Sequence, residues 1–294
     1  MTLLVLGSTG MLGQALMAEA ALRGESVIGV ARQGADRSCD LTDAPAQEEL
    51  FTATSPTLVA NCTALTDLAR CEADPAAAFA VNARAVALLT ENCRLHAARL
   101  VHVSTDHFFT GDGRAVHDEA AVPRLVNDYA RSKFAGEAFA LSLPGALVLR
   151  TNVTGLRGWE AKPTFAEWLM SAIERDEPLT LFDDYFTSTL DSHSFARACF
   201  ALLDQGASGL WNLASSQVAS KLEFAKALAS RMGRNLAHAQ AGSVRGLTPR
   251  RAESAGLDVR KAEALLGRRL PALEEIVDAL VTEKQKKCDT PRHS

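Results

Sequence analysis

The chain has 294 residues, enough for one large domain or two coupled smaller ones, and its 47% hydrophobic content can fill a core of that size. A net charge of -4 gives no electrostatic reason to expect nucleic acid or an anionic membrane as partner. No apolar run reaches membrane-spanning length, and no basic-then-apolar leader precedes the first strand, so a cytoplasmic protein is expected.

The elements alternate from the start. Leu3-Leu4-Val5-Leu6 reads as a buried strand, followed by Gly7-Ser8-Thr9-Gly10-Met11-Leu12-Gly13 and a helix from Met11 to Leu22. Further strands are predicted at Ser26 to Ala31, Thr57 to Asn61, Leu100 to Thr105 and Ala146 to Thr151. Asp74-Pro75 should cap a long alanine-rich helix reaching about His96, and Asp128 to Leu141 is another helix. Strand and helix in alternation predict an α/β fold, a Rossmann-type doubly wound parallel sheet with the glycine turn at its switch point.

After Thr151 the texture changes. Helices are expected at Pro163 to Arg175, from an Asp191 cap to Leu203, after the capping box Ser220-Lys221-Leu222-Glu223, and at Pro271 to Glu283. Short strands are expected at Leu179 to Phe182 and Gly209 to Leu213. This divides the chain into a dinucleotide-binding domain, 1–150 with a returning segment at 187–215, and a smaller α/β substrate-binding portion, 151–186 with 216–283. The polar stretch 284–294 is expected to fray.

The strand–glycine turn–helix unit at Gly7, Gly10 and Gly13 suits a dinucleotide pyrophosphate. Glycine permits a tight turn and close approach, and the helix N-terminus offers free N–H groups to negative charge. The second strand ends in Ala31-Arg32-Gln33 with no acid for ribose hydroxyls. Arg32 would suit a 2′-phosphate, so NADP(H) is expected, with NAD(H) as the alternative. Asp40, followed by Leu41, could place a carboxylate near the adenine amino group. Asn61-Cys62-Thr63 ends the third strand with small residues that would let a cofactor lie across the sheet edge.

Tyr129 and Lys133 stand at i and i+4 on one helical face, in a chain with only two tyrosines. A free phenol titrates near 10; an ammonium about 5 Å away at an effective dielectric of about 20 contributes roughly 3 kcal/mol, on the order of two pKa units of depression. Ser104-Thr105-Asp106 closes a strand at the end where open α/β sheets place catalytic groups. The six cysteines, Cys39, Cys62, Cys71, Cys93, Cys199 and Cys288, show no C-x-x-C pair and no zinc spacing, so reduced thiols and no metal site are expected.

Together these residues resemble the extended short-chain dehydrogenase/reductases. The carriers are G-x-x-G-x-x-G, Asn61-Cys62-Thr63-Ala64 and Y-x-x-x-K. Val103-Ser104-Thr105-Asp106 with Phe109-Thr110-Gly111, Ser132 to Glu137, and Arg150-Thr151-Asn152 resemble the dTDP-4-dehydrorhamnose reductase branch. The resemblance implies that Thr105 polarises a keto group, Tyr129 donates the proton, and Lys133 holds the nicotinamide ribose and lowers the tyrosine pKa. Gly7, Thr9, Gly10, Met11, Leu12, Gly13, Arg32, Asp40, Leu41, Asn61, Cys62 and Thr63 would bind the cofactor. Ser104, Thr105, Asp106, His107 and Asn152 would contact a sugar-nucleotide substrate. His107 stands where the family has tyrosine, Asn152 where it has an aromatic residue, and Gln14-Ala15 where some relatives carry a carboxylate linked to metal-bridged dimers. A homodimer is among the assemblies implied. Sugar-nucleotide epimerases and dehydratases share the fold, and a relative serves as the non-catalytic regulatory partner of methionine adenosyltransferase.

Overall fold

The first apolar run forms strand β1 (Thr2–Leu6), and Leu3 to Leu6 are all buried. The structure, a computed structural model, describes residues 2–289. From β1 the chain turns into α1 (Met11–Leu22), β2 (Ser26–Ala31) and the two-residue β3 (Arg37–Ser38). Helix α2 (Ala44–Thr54), capped by Asp43, leads to β4 (Leu58–Asn61), and α3 (Leu68–Ala73) follows. The helix expected from Asp74 is a continuous helical run in three parts: α4 (Pro75–Phe79), a π-turn at Ala80–Arg84, and α5 (Ala85–Leu95). Then come β5 (Arg99–Val103), β6 (Val116–His117), α6 (Asp128–Leu141) and β7 (Leu147–Arg150).

The remaining elements are β8 (Asn152–Thr154), α7 (Phe165–Glu174), β9 (Leu179–Phe182), β10 (Phe186–Thr187) and β11 (Thr189–Asp191). They continue with α8 (Ser192–Asp204), β12 (Gly209–Asn212), β13 (Ala219–Ser220) and α9 (Lys221–Arg231). The chain closes with β14 (Ala239–Gly242), β15 (Ser254–Leu257), α10 (Arg260–Leu266) and α11 (Leu273–Asp289). The strands of two to four residues that sequence periodicity missed, such as β3 and β10, are too short to show an alternation.

Seven parallel strands make the main sheet, in the order β12-β7-β5-β4-β1-β2-β3. The direction of winding reverses between β1 and β4, which places the first glycine turn in the crevice where a Rossmann-type sheet binds its ligand. Alternate strand residues serve opposite layers. Leu4, Leu6, Val59 and Leu100 pack with Phe51 and Leu89; Leu3, Val5, Val101 and Leu149 pack with Leu16 and Phe195. A second sheet, β13-β10-β15-β6, and two strand pairs are built mostly from the later half of the chain.

The π-turn is held where α6 crosses it. A Cβ on Gly136 would lie 2.0 Å from the Asn82 carbonyl oxygen, so only glycine lets the two helices meet this closely. Asn82 then ties the loop after β4: its oxygen accepts the Leu65 N–H at 2.8 Å, and its amide donates to the Leu65 carbonyl and the Ser132 hydroxyl, each at 3.0 Å.

The tail was expected to fray from Lys284; α11 runs to Asp289. Lys284 pairs with Glu174 at 2.6 Å, and Lys287 pairs with Glu283 at 2.7 Å and donates to the Leu156 carbonyl at 2.9 Å. These ties keep a polar segment helical. Residues 290–294 of that expectation lie outside the described residues.

Candidate active site

Gly7 adopts φ +81°, the left-handed region that favours glycine. A Cβ on Gly13 would lie 2.1 Å from the Gly7 carbonyl oxygen, so α1 can begin this close to the turn only without a side chain there. Gly10 caps α1 with no side-chain hydrogen bond, which leaves first-turn N–H groups for an outside acceptor.

The turn opens into a cleft of about 750 Å³. Of the residues expected at the cofactor, Gly7, Thr9, Gly10, Arg32, Asp40, Leu41, Cys62 and Thr63 line it. Four other expected residues stand behind the wall. Gly13 lies beneath the turn, Met11 approaches Gly155, and Leu12 packs on the core. Asn61 is buried; its oxygen accepts the Thr63 N–H at 3.0 Å and the Thr63 hydroxyl at 2.5 Å, and its amide meets His102 Nδ1 at 3.2 Å. It shapes the cleft from behind rather than facing it.

Arg32 is exposed at the end of β2, with its guanidinium near Asp40. Asp40 is held below the usual carboxylate range first by the Thr42 N–H at 2.9 Å and the Thr42 hydroxyl at 2.8 Å, and last by Arg32. Both bonds fall on one carboxylate oxygen, so Asp40 closes its own turn. Thr42, Arg70 and Trp159 also line the cleft. The sequence carried no signal for Arg70 or Trp159, because each comes from a different loop or short helix that only the fold brings to the crevice.

At the far side of Cys62, three groups converge. Thr105 follows β5 and is buried. Tyr129 stands in the first turn of α6, whose Asn127 cap accepts the Ala130 N–H at 2.8 Å. The Tyr129 phenol lies near the Thr105 hydroxyl, which acts on its titration. Lys133, one turn on, is buried and donates to the Val103 carbonyl at 2.7 Å. Its ammonium and the Cys62 thiol perturb each other through space; Thr105, Tyr129 and Lys133 themselves are not among the residues that line the cleft.

The expected lysine-driven depression of the tyrosine pKa is corrected by this geometry. Burial pushes the Tyr129 phenol up to about 12; the Thr105 hydroxyl opposes the rise and the Asp106 charge adds to it. Desolvation outweighs the neighbours, and Lys133 directs its ammonium to a backbone carbonyl instead. Burial also lowers Lys133 to about 8, partly offset by Glu137.

His107 and Asn152 brace the site. His107 Nε2 meets Asn127 Nδ2 at 2.9 Å and accepts the Ala252 N–H at 3.3 Å, so this nitrogen is not free for a substrate. Burial lowers its pKa to about 4, and its ring stands edge-on to Tyr129 at 5.8 Å. Asn152 Nδ2 donates to Asp106 Oδ2 at 3.0 Å, and its oxygen accepts from Thr189 at 2.7 Å. Ser104 turns away, donating to Glu137 Oε2 at 2.8 Å. Glu137 also takes both bonds of a buried Arg150, at 3.0 and 2.6 Å, beneath the end of β5.

Sequence reasoning missed Lys221. Lys221 was legible only as part of a capping box, yet its ammonium lies 4.9 Å from the Phe165 ring centroid and 5.6 Å from that of Tyr185.

The sequence profile of the family described as RmlD substrate binding domain matches residues 1–286. A dTDP-4-keto-6-deoxy-D-glucose reductase of Streptomyces niveus is 32% identical over 90% of this chain and 88% of its own. A dTDP-4-dehydrorhamnose reductase of Mycobacterium tuberculosis is 33% identical over 79% and 75%. The structure of a dTDP-4-dehydrorhamnose reductase from Bacillus anthracis, in complex with NADP, superposes with a TM-score of 0.86 over 96% of this chain and 99% of that one; at 22% identity it speaks for the fold. The chain belongs to the RmlD family, the dTDP-4-dehydrorhamnose reductase-like branch of the extended short-chain dehydrogenase/reductases.

Proposed function

We propose that this protein is an NADPH-dependent reductase of a nucleotide-linked 4-keto-6-deoxysugar. The observation that supports the reading is the gathering of Thr105, Tyr129 and Lys133 around the carboxyl end of β5, with the Lys133 charge felt at Cys62, a residue of the glycine-turn cleft. The substrates named for the Streptomyces and Mycobacterium relatives, and the NADP named for the Bacillus structure, support the substrate and cofactor classes.

The cleft suits a dinucleotide. A turn without Cβ atoms at its closest approach and an uncapped helix start accept a pyrophosphate, and Arg32 suits a 2′-phosphate. When bound, NADPH supplies the hydride. Tyr129, neutral at physiological pH because it titrates at about 12, holds the proton that the carbonyl oxygen takes up. Thr105 orients that phenol and donates to the same oxygen. Loss of the proton leaves a half-buried phenolate beside the Thr105 hydroxyl. The sugar would lie against the portion formed by 151–186 and 216–283, with 1–150 and the returning 187–215 holding the cofactor.

The test follows NADPH absorbance with dTDP-, GDP- and UDP-linked 4-keto-6-deoxysugars. One of them should be reduced with stoichiometric NADPH consumption. Tyr129→Phe should lower kcat by about 100- to 10,000-fold and leave the NADPH Kd within about 2-fold. NADPH consumption with none of the sugars, or an unimpaired Tyr129→Phe variant, overturns the reading.

A further inference from the structure

The cleft beside the glycine turn is lined almost wholly by the first part of the chain. Among the described residues, those that line it all lie between Gly7 and Ala85, with one exception, Trp159. Trp159 comes from the loop between β8 and α7 and is 45% exposed. A large apolar ring left open at the wall of a cleft of about 750 Å³ has surface to give to whatever fills that cleft.

The loop is built to hold the ring there. Glu167 in the first turn of α7 closes it at both ends: Oε1 accepts the Gly158 N–H at 2.5 Å, and Oε2 accepts the Thr164 N–H at 2.7 Å. The Thr164 hydroxyl donates to the Gly155 carbonyl at 2.6 Å, and the Trp159 carbonyl accepts the Lys162 N–H at 3.1 Å. The Arg157 guanidinium donates to the Lys162 carbonyl and lies over the indole, 4.1 Å from its centroid.

Gln14, in the first turns of α1, ties this loop to the glycine turn. Its Nε2 donates to the Thr9 carbonyl at 3.0 Å and to the Arg157 carbonyl at 3.3 Å. Only a donor can join two carbonyls, so an amide serves here and a carboxylate could not. Thr9 also lines the cleft, so the bridge fixes the indole relative to the turn that suits a diphosphate. We propose that Trp159 is a cofactor-binding residue, its indole packing against the ribose–diphosphate middle of a bound dinucleotide, with Gln14 as the positioning residue of its loop. The proposal rests on the cofactor half of the reductase reading above and deepens it. Because that middle is common to NADPH and NADH, Trp159 serves both, unlike Arg32.

The experiment measures dinucleotide Kd by calorimetry, with thermal melts to check folding. Trp159→Ala should melt like the wild type and raise the Kd for NADPH and for NADH alike by about tenfold, and Trp159→Phe should restore most of it. The chain has three tryptophans, so Trp168→Phe with Trp211→Phe leaves Trp159 as the only indole emitter. In that variant, saturating NADP⁺ should lower acrylamide quenching of the indole at least about 2-fold, and adding Gln14→Ala should weaken this shielding. Wild-type affinity in Trp159→Ala, or an indole as open to acrylamide with the dinucleotide bound as without it, overturns the proposal. A protein that binds neither dinucleotide overturns both the proposal and the cofactor half of the reductase reading. Shielding by NADP⁺ in a protein that reduces no 4-keto sugar nucleotide upholds the proposal and overturns the reductase reading alone.

Discussion

Lys133 Nζ donates to the Val103 carbonyl at 2.7 Å, so the ammonium is fastened to the strand that delivers Thr105. Its position is therefore set by β5. Because burial lowers Lys133 to about 8, the charge is present below that pH and lost above it, while Tyr129 stays protonated to about 12. The kcat/KM for reduction should fall about tenfold per unit as pH rises beyond 8, and Lys133→Met should be slow at every pH with that limb gone. A wild-type profile flat to pH 10 would contradict the role of this ammonium.

Arg32 should select the cofactor. Arg32→Ala is expected to raise the Kd for NADPH by about 10- to 100-fold, in line with one lost charge-assisted contact of about 1.5–3 kcal/mol, and to leave NADH unaffected. Fluorescence titration with both dinucleotides reads the difference. Equal weakening of the two would show that the guanidinium does not meet the 2′-phosphate.

Gly13 and Gly10 should respond unequally to an added methyl. A Cβ at Gly13 would sit 2.1 Å from the Gly7 carbonyl oxygen, whereas one at Gly10 would sit 3.2 Å from it. Gly13→Ala must displace α1 or the turn. It should cost about 1–3 kcal/mol in urea unfolding and weaken NADPH binding at least about tenfold. Gly10→Ala should unfold nearly as the wild type does. Equal stabilities for the two variants would contradict this packing.

The buried pair of Glu137 and Arg150 sits directly under Ser104. Glu137→Gln leaves the arginine charge without its counter-ion and should destabilise the protein by about 3–5 kcal/mol. Replacing both, as Glu137→Gln with Arg150→Met, should recover part of that loss, because the uncompensated charge is gone. Chemical denaturation of the single and double variants measures this, and a single variant of wild-type stability would show that the pair is dispensable.

Much of the site was legible because its chemistry is local. A positive φ at Gly7, the strand before it and the helix after it are properties of adjacent residues. The i, i+4 spacing of Tyr129 and Lys133 follows from helical geometry alone, and the Ser220 capping box is read from four consecutive residues. What was not legible depends on surroundings. Asn61 matches its motif but turns inward to His102, and Asp40 spends its carboxylate on Thr42. The tail beyond Glu283 looked free because its partners, Glu174 and the Leu156 carbonyl, belong to earlier segments.

The sequence by itself determined the six longer strands of the main sheet, most of the longer helices and the glycine bend, since each is encoded within a few consecutive positions. Only the tertiary structure decided that Tyr129 moves up in pKa rather than down, and that Lys221 lies over the Phe165 and Tyr185 rings. The reason is physical: desolvation and charge pairing act through space, and their strength is fixed by what the folded chain packs around a group, not by what precedes or follows it.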